Sequence, residues 1–145
     1  MKVTVVIDAD RRVLGRMASE AAKNALLGET VIVINADKAY VSGDMSSVFR
    51  QNLEKLTIRN KGNFNKGPYH PKRPDVFVKR AIRGMLPWKM SRGREAYRRV
   101  FVFIGAPVEK LTELKAKVPQ KQAPKKKLRR KVTVAEICKH IGGSW

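Results

Sequence analysis

Three short runs of β-branched and apolar residues constrain the fold of this chain more than anything else in it. They are Val3-Thr4-Val5-Val6-Ile7, Val31-Ile32-Val33-Ile34 and Val100-Phe101-Val102-Phe103-Ile104. None is cleanly polar on one side, so each needs cover on both faces, the pattern of strands inside a parallel sheet. Between the first two, Leu14, Met17, Ala18, Ala21, Ala22, Ala25 and Leu26 recur at helical spacing, and Gly28 follows as a stop. Strand, helix, strand is a right-handed crossover unit. A short strand is expected at 38–41. A helix follows, capped by Ser46 or Ser47, with Val48, Phe49, Asn52, Leu53 and Leu56 along one side. Gly105-Ala106-Pro107 ends the third run, and residues 133–141 read as a last helix before Gly142 and Gly143. The fold class is α/β.

The 145 residues are enough for one domain with a proper core, and 43% apolar content excludes a disordered polycation. The formal net charge is nevertheless +20. Such an excess repels itself in a compact state, so a polyanionic partner is the natural explanation. The charge is not spread evenly. Residues 1–58 hold 8 basic and 7 acidic side chains, whereas residues 59–99 hold 13 and 2, and residues 115–131 hold 9 and none. Two basic blocks beside near-neutral sequence describe a scaffold carrying binding surfaces rather than a merely soluble exterior. The domain expectation follows: an α/β domain over 1–114 holding the basic loop and helices of 60–99, then a basic extended segment and short helix over 115–145.

Cys138 is the sole cysteine. One thiol makes no internal disulfide, which fits a reducing compartment, and the plain role for it is a small apolar residue on a helix. The N-terminal apolar stretch is too short for a signal segment, and no run is long enough to cross a bilayer. The expectation is a cytoplasmic protein with no membrane partner.

Residues 60–74 form a long stretch without periodicity. Its content suits RNA. Gly62 and Gly67 allow close backbone approach. Lys61, Lys66, Lys72 and Arg73, with Arg59 just before, offer charge. Phe64, Tyr69 and His70 offer flat faces for unstacked bases, packing onto the domain being the alternative for each. In the helix starting near Asp75, Phe77, Val78, Ala81, Ile82 and Met85 fall in one arc. Lys79, Arg80 and Arg83 fall in another, so the helix can pack on the sheet and present three cations together. Pro87 is expected to end it. Ser91 is expected to cap a second helix carrying Arg92, Arg94, Arg98 and Arg99, with Lys89 between the two. The dominance of arginine favours geometric recognition of phosphate. Trp88 fits a buried core or a base-stacking platform equally well. The segment 115–131, with Lys115, Lys117, Lys121, Lys125, Lys126, Lys127, Arg129, Arg130 and Lys131, is expected to be extended and ordered only on a partner.

Catalytic patterns are nearly absent. An enzyme of this class carries its site at the carboxyl ends of the parallel strands. There Asp8, Asp10 and Asp37 could gather for magnesium-dependent RNA processing, although Asp at a strand end is more often a turn residue. The first strand-to-helix turn holds Arg11-Arg12 instead of a glycine-rich fingerprint. With His70, His140 and Cys138 as the only imidazoles and thiol, zinc has too few ligands, and no cofactor is expected. DNA compaction is a third possibility, but loops with interspersed aromatics suit folded RNA better than a regular duplex.

Gly67-Pro68-Tyr69-His70, then Arg80-Ala81-Ile82-Arg83-Gly84-Met85-Leu86-Pro87, then Ser91-Arg92-Gly93 resemble the large-subunit ribosomal protein L-thirteen family. Asp8, Val13-Leu14-Gly15-Arg16-Met17-Ala18-Ser19 and Val33-Ile34-Asn35-Ala36 are similar to it as well. The resemblance spans roughly residues 5–107 and favours the archaeal and eukaryotic branch, with an archaeal source expected. It implies a three-layer α/β/α domain with a mainly parallel four-stranded sheet. It also implies binding to large-subunit ribosomal RNA beside neighbouring ribosomal proteins, a part in early subunit assembly, and neither catalysis nor a small-molecule substrate. The family signature falls here on Gly67, His70, Arg83, Gly84, Met85, Leu86, Pro87, Arg92 and Gly93. Trp88 stands where the family often has histidine.

Overall fold

The computed structural model describes residues 4–107 and 128–145. The elements are β1 (Thr4–Asp8), α1 (Leu14–Leu26), β2 (Thr30–Ile34), β3 (Tyr40–Ser42), α2 (Met45–Thr57), α3 (Pro74–Gly84), α4 (Ser91–Arg98), β4 (Val100–Val102), β5 (Lys131–Thr133) and α5 (Val134–His140). Short 3-10 turns occupy Ala36–Lys38 and Phe64–Lys66.

The three apolar runs become one parallel sheet in the order β1-β2-β4. Val6 pairs with Ile32, and Ile32 with Phe101. Central β2 alternates between two cores, which is why its run is apolar throughout. Val31 and Val33 meet Met17, Ala21 and Ala25 of α1 and Val78 and Ile82 of α3. Ile32 and Ile34 face the other way and cluster with Val6 and Phe103. Each such buried aliphatic side chain contributes about 1.5–3 kcal/mol relative to exposure. The alanines of α1 let that helix lie close against both α3 and α4.

The α/β expectation holds, with a mixed strand arrangement. The strand expected at 38–41 is realised as β3. The left-handed backbone of Asn35 (φ 54°) and the turn Ala36–Lys38 carry the chain out of the parallel sheet first. β3 touches Val13 by one parallel bridge and pairs antiparallel with β5, Val41 opposite Val132. α5 then packs Val134 and Cys138 into the main core, and Ile137 against Val48 and Phe77. A reciprocal capping box starts α5: the Glu136 amide donates to Thr133 Oγ1 at 3.2 Å, and the Thr133 amide to Glu136 Oε2 at 2.8 Å.

Three expected helix ends move. Asp44, not Ser46 or Ser47, is the N-cap of α2, and the Ser46 hydroxyl donates to its carboxylate at 2.6 Å. Met90, not Ser91, precedes the first residue of α4. α3 stops at Gly84, before Pro87, because the Met85 and Leu86 amides tighten back onto the Ile82 and Arg83 carbonyls at 3.0 and 3.1 Å.

Candidate nucleic-acid interface

α3 and α4 present the basic block. Pro74 opens α3, where its missing N–H costs nothing. Val78 and Ile82 are fully buried, which fixes the helix's rotation and leaves Arg80 and Arg83 exposed and Lys79 half-buried. A tight turn joins the helices. The Met90 amide donates to the Pro87 carbonyl at 3.0 Å, and the Gly93 amide to the Met90 carbonyl at 3.2 Å. A Cβ on Gly93 would lie 2.1 Å from the Pro87 carbonyl oxygen, so only glycine lets the turn close against α4.

This turn brings aromatics and cations into one array. The Arg83 guanidinium lies 4.0 Å from the Trp88 ring centroid, and Lys79 Nζ lies 5.0 Å from that of Tyr97. Trp88 and Tyr97 meet edge to face at 5.2 Å and 89°. Trp88 is 36% exposed, so its indole is neither core nor free-standing. Each cation over a ring gains roughly 0.5–1 kcal/mol and keeps outward N–H groups. Lys89, Arg92, Arg94 and Arg98 are exposed around the array. Arg99 is turned inward: it pairs with Glu95 at 3.9 Å and donates to the Ala25 carbonyl at 3.4 Å, at the end of α1. Tyr97 was not among the residues expected from sequence; its place in an arginine-rich helix hid it.

The loop before α3 is built on asparagine turns. Asn60 Oδ1 accepts from the Gly62 and Asn63 amides at 3.0 and 3.2 Å. Arg59 donates to the Leu56 carbonyl at 3.4 Å, and Lys61 and Lys66 are exposed. Tyr69 is 82% exposed, so it does not anchor the loop by packing. Its carbonyl does so, accepting from Arg80. Arg73 pairs with Asp75 at 3.2 Å, while Lys72 is exposed. His70 is half-buried, and its Nε2 finds no hydrogen-bond partner among the described residues.

Of the second basic block, Lys115, Lys117, Lys121, Lys125, Lys126 and Lys127 lie outside the described residues. The end of that block is not an extended tail. Arg129 is exposed, and Arg130 pairs with Asp44 at 3.8 Å. Lys131 begins β5 with its Nζ 4.4 Å from the Tyr40 ring centroid.

The three candidate metal ligands serve as turn residues. Asp8 accepts from the Asp10 amide at 2.9 Å and from Asn35 Nδ2 at 2.8 Å, tying the ends of β1 and β2 together. Asp37 accepts from the Gly105 amide at 3.3 Å. Among the described residues no three His, Cys, Asp or Glu side chains gather as a metal site. The reading of Asp8, Asp10 and Asp37 as a magnesium centre is therefore corrected: the Asp8 and Asp37 carboxylates accept from amides at the strand ends, and Asp10 donates its own amide to Asp8. Cys138 is buried, and burial followed by the nearby Asp75 charge pushes its thiol up to about 12, far from a nucleophile's range. Among the described residues no helix is long and apolar enough to cross a membrane.

Known proteins are similar in sequence to this chain. The protein of Archaeoglobus fulgidus described as large ribosomal subunit protein uL13 is 44% identical over 138 residues, covering 94% of this chain and 86% of its own. The uL13 proteins of Methanocaldococcus jannaschii and Methanococcoides burtonii are 38% and 37% identical, over 97% of this chain and 98% and 99% of their own lengths. The sequence profile described as Ribosomal protein L13 matches residues 2–109, from β1 through the α3–α4 array and β4. The chain belongs to the ribosomal protein L13 family.

Proposed function

We propose that this chain is a structural, RNA-binding constituent of the large ribosomal subunit, acting in the cytoplasm without catalysis. Family membership and the distribution of charge support that reading, and one observation carries it to particular residues. That observation is the Lys79–Tyr97–Trp88–Arg83 array, where two cations flank a pair of touching, partly exposed rings on a two-helix support. Arginine planes and aromatic faces suit unstacked bases, and the surrounding Lys89, Arg92, Arg94 and Arg98 suit phosphate. The sequence carries further basic residues over 59–73 and 115–131, which we assign to the same RNA partner. Neighbouring large-subunit proteins are further partners, and support of early subunit assembly is the role. An archaeal source fits the relatives.

The test is a salt wash. Tagged protein expressed in an archaeal host should sediment with large subunits and stay through a moderate salt wash. In vitro, log affinity for large-subunit RNA should fall linearly with log salt at a slope of several phosphates' worth. A flat salt dependence, or sedimentation with free protein, would reject the reading.

A further inference from the structure

A cleft of about 340 Å³ is lined by residues of α2 and α3 and shares none with the Trp88 array. Its walls include Leu56, Phe77, Ala81 and Ile141, and its polar groups are Asn52, Lys55, His70 and Arg80. Five separate parts of the chain converge on it, from Leu14 of α1 to Ile141 just after α5. The volume is at the small end of ligand cavities and fits one flat heterocycle, not a helix.

The polar groups divide by position. The Asn52 amide nitrogen donates to the Val48 carbonyl at 2.8 Å, so its oxygen is fixed in orientation as an acceptor. Arg80 is held by the Tyr69 carbonyl, with other N–H groups of its fork left over. Lys55 and Arg80 are both exposed cations beside an otherwise apolar interior. An apolar slot with a fixed acceptor and two cations at its rim matches a nucleotide: base inside, phosphate at the mouth. A second cleft of about 400 Å³, lined among others by Asn60, Asn65, Tyr69 and Lys72, shares Leu56 and His70 with the first. A single strand crossing at His70 therefore runs from one cleft directly into the next, along the loop already read as basic.

We infer that the α2–α3 cleft receives one unstacked nucleotide of the RNA bound by this chain, its base against Leu56, Phe77 and Ala81 and its phosphate between Lys55 and Arg80. The inference rests on the RNA-binding reading and adds to it a base-sized site built partly from α2, outside the basic segments. Extruding a base is least costly where it is already unpaired, so the target is a loop or bulge rather than a duplex.

The full chain and an in vitro transcript of archaeal large-subunit RNA give the test. Ala81→Leu fills the slot from a helical position and should lower affinity at least tenfold with an unchanged circular dichroism spectrum. Lys55→Gln, on the rim, should reduce the salt slope by about one. Ultraviolet cross-linking of the unmodified complex should leave nucleotide remnants on the peptide spanning His70 to Phe77, and this readout stands even where a variant folds poorly. Full binding by Ala81→Leu, or cross-links confined to residues 88–99, would overturn the cleft site while leaving the RNA-binding reading intact. Failure of the unmodified chain to bind RNA would overturn both. Saturation by free AMP or UMP that the transcript fails to displace would assign the cleft to a free nucleotide and overturn it too.

Discussion

The Arg83 guanidinium lies 4.0 Å from the centroid of the Trp88 ring, so a helix cation and a turn aromatic form one surface unit. Neither residue alone specifies it. Arg83 points outward because Val78 and Ile82 are buried, and Trp88 reaches back because Gly93 lets the Pro87 turn close.

Trp88→Ala should therefore weaken RNA binding without unfolding the chain. Losing a stacking face costs about 1–3 kcal/mol per base, and a loss of 1.4 kcal/mol is tenfold in affinity. Trp88→His keeps a flat ring and should retain most of the binding. Filter binding on both variants, with thermal melts as the control, checks this. Equal affinity for Trp88→Ala and the unmodified chain would remove Trp88 from the interface.

Replacing Lys79, Arg80 and Arg83 together by glutamine should lower both affinity and salt slope. Each phosphate contact contributes about 0.7–0.9 to the slope, so the triple variant should lose roughly two to three units. Arg80 also holds the Tyr69 carbonyl, so part of its effect should come from a loosened loop. A parallel shift of the binding curve with the slope intact would mean these cations touch no phosphate.

Two of the three signature glycines, Gly93 and Gly84, should separate fold from binding. Gly93→Ala drives a Cβ into the Pro87 backbone and should destabilise the chain by on the order of 2–4 kcal/mol, since backbone there has nowhere to move. A Cβ on Gly84 would meet nothing within 4 Å, which removes a tight helix contact as the reason for glycine there. Gly84→Ala should raise helix stability by up to about 1 kcal/mol. If RNA backbone presses against that point, the same change should lower affinity while the melting temperature rises. A gain in stability with undiminished binding would leave Gly84 without a role in the interface.

Those contrasts also mark what the sequence could and could not reveal. β1, α1, β2 and β4 were legible because buried parallel strands and an alanine-rich helix leave unbroken periodic patterns. β3 was expected as a short strand, but its pairing with β5 was not, because β5 has three residues and begins at Lys131, at the end of a lysine and arginine run. The cationic arc of α3 was legible from helical spacing alone. Tyr97 was hidden among arginines, and Asn52 and Lys55 lay in a near-neutral segment that charge counting assigned to scaffold. Of its two rim cations only Arg80 falls in a basic block, so a charge map does not outline a site with otherwise neutral walls. Local spacing reports one element at a time, whereas this cleft exists only where several elements meet.

Cys138 gives a prediction with a definite direction in pH. Burial raises its thiol from 9.0 to about 12, and the Asp75 charge adds to the same direction. A group whose folded pKa is raised contributes stability that is complete below its unfolded value and is lost as pH rises through the folded one. The chain should thus hold its stability up to about pH 9 and lose it progressively toward about pH 12, as the unfolded state gives up a proton that the folded state retains. Cys138→Ala should flatten that alkaline limb in urea melts run at increasing pH, at the cost of a small cavity in the core. Iodoacetamide should label the native protein slowly and the urea-unfolded protein quickly at pH 8. Rapid labelling of the folded chain, or an alkaline limb unchanged in Cys138→Ala, would show that the thiol is not held neutral inside the α3–α5 contact.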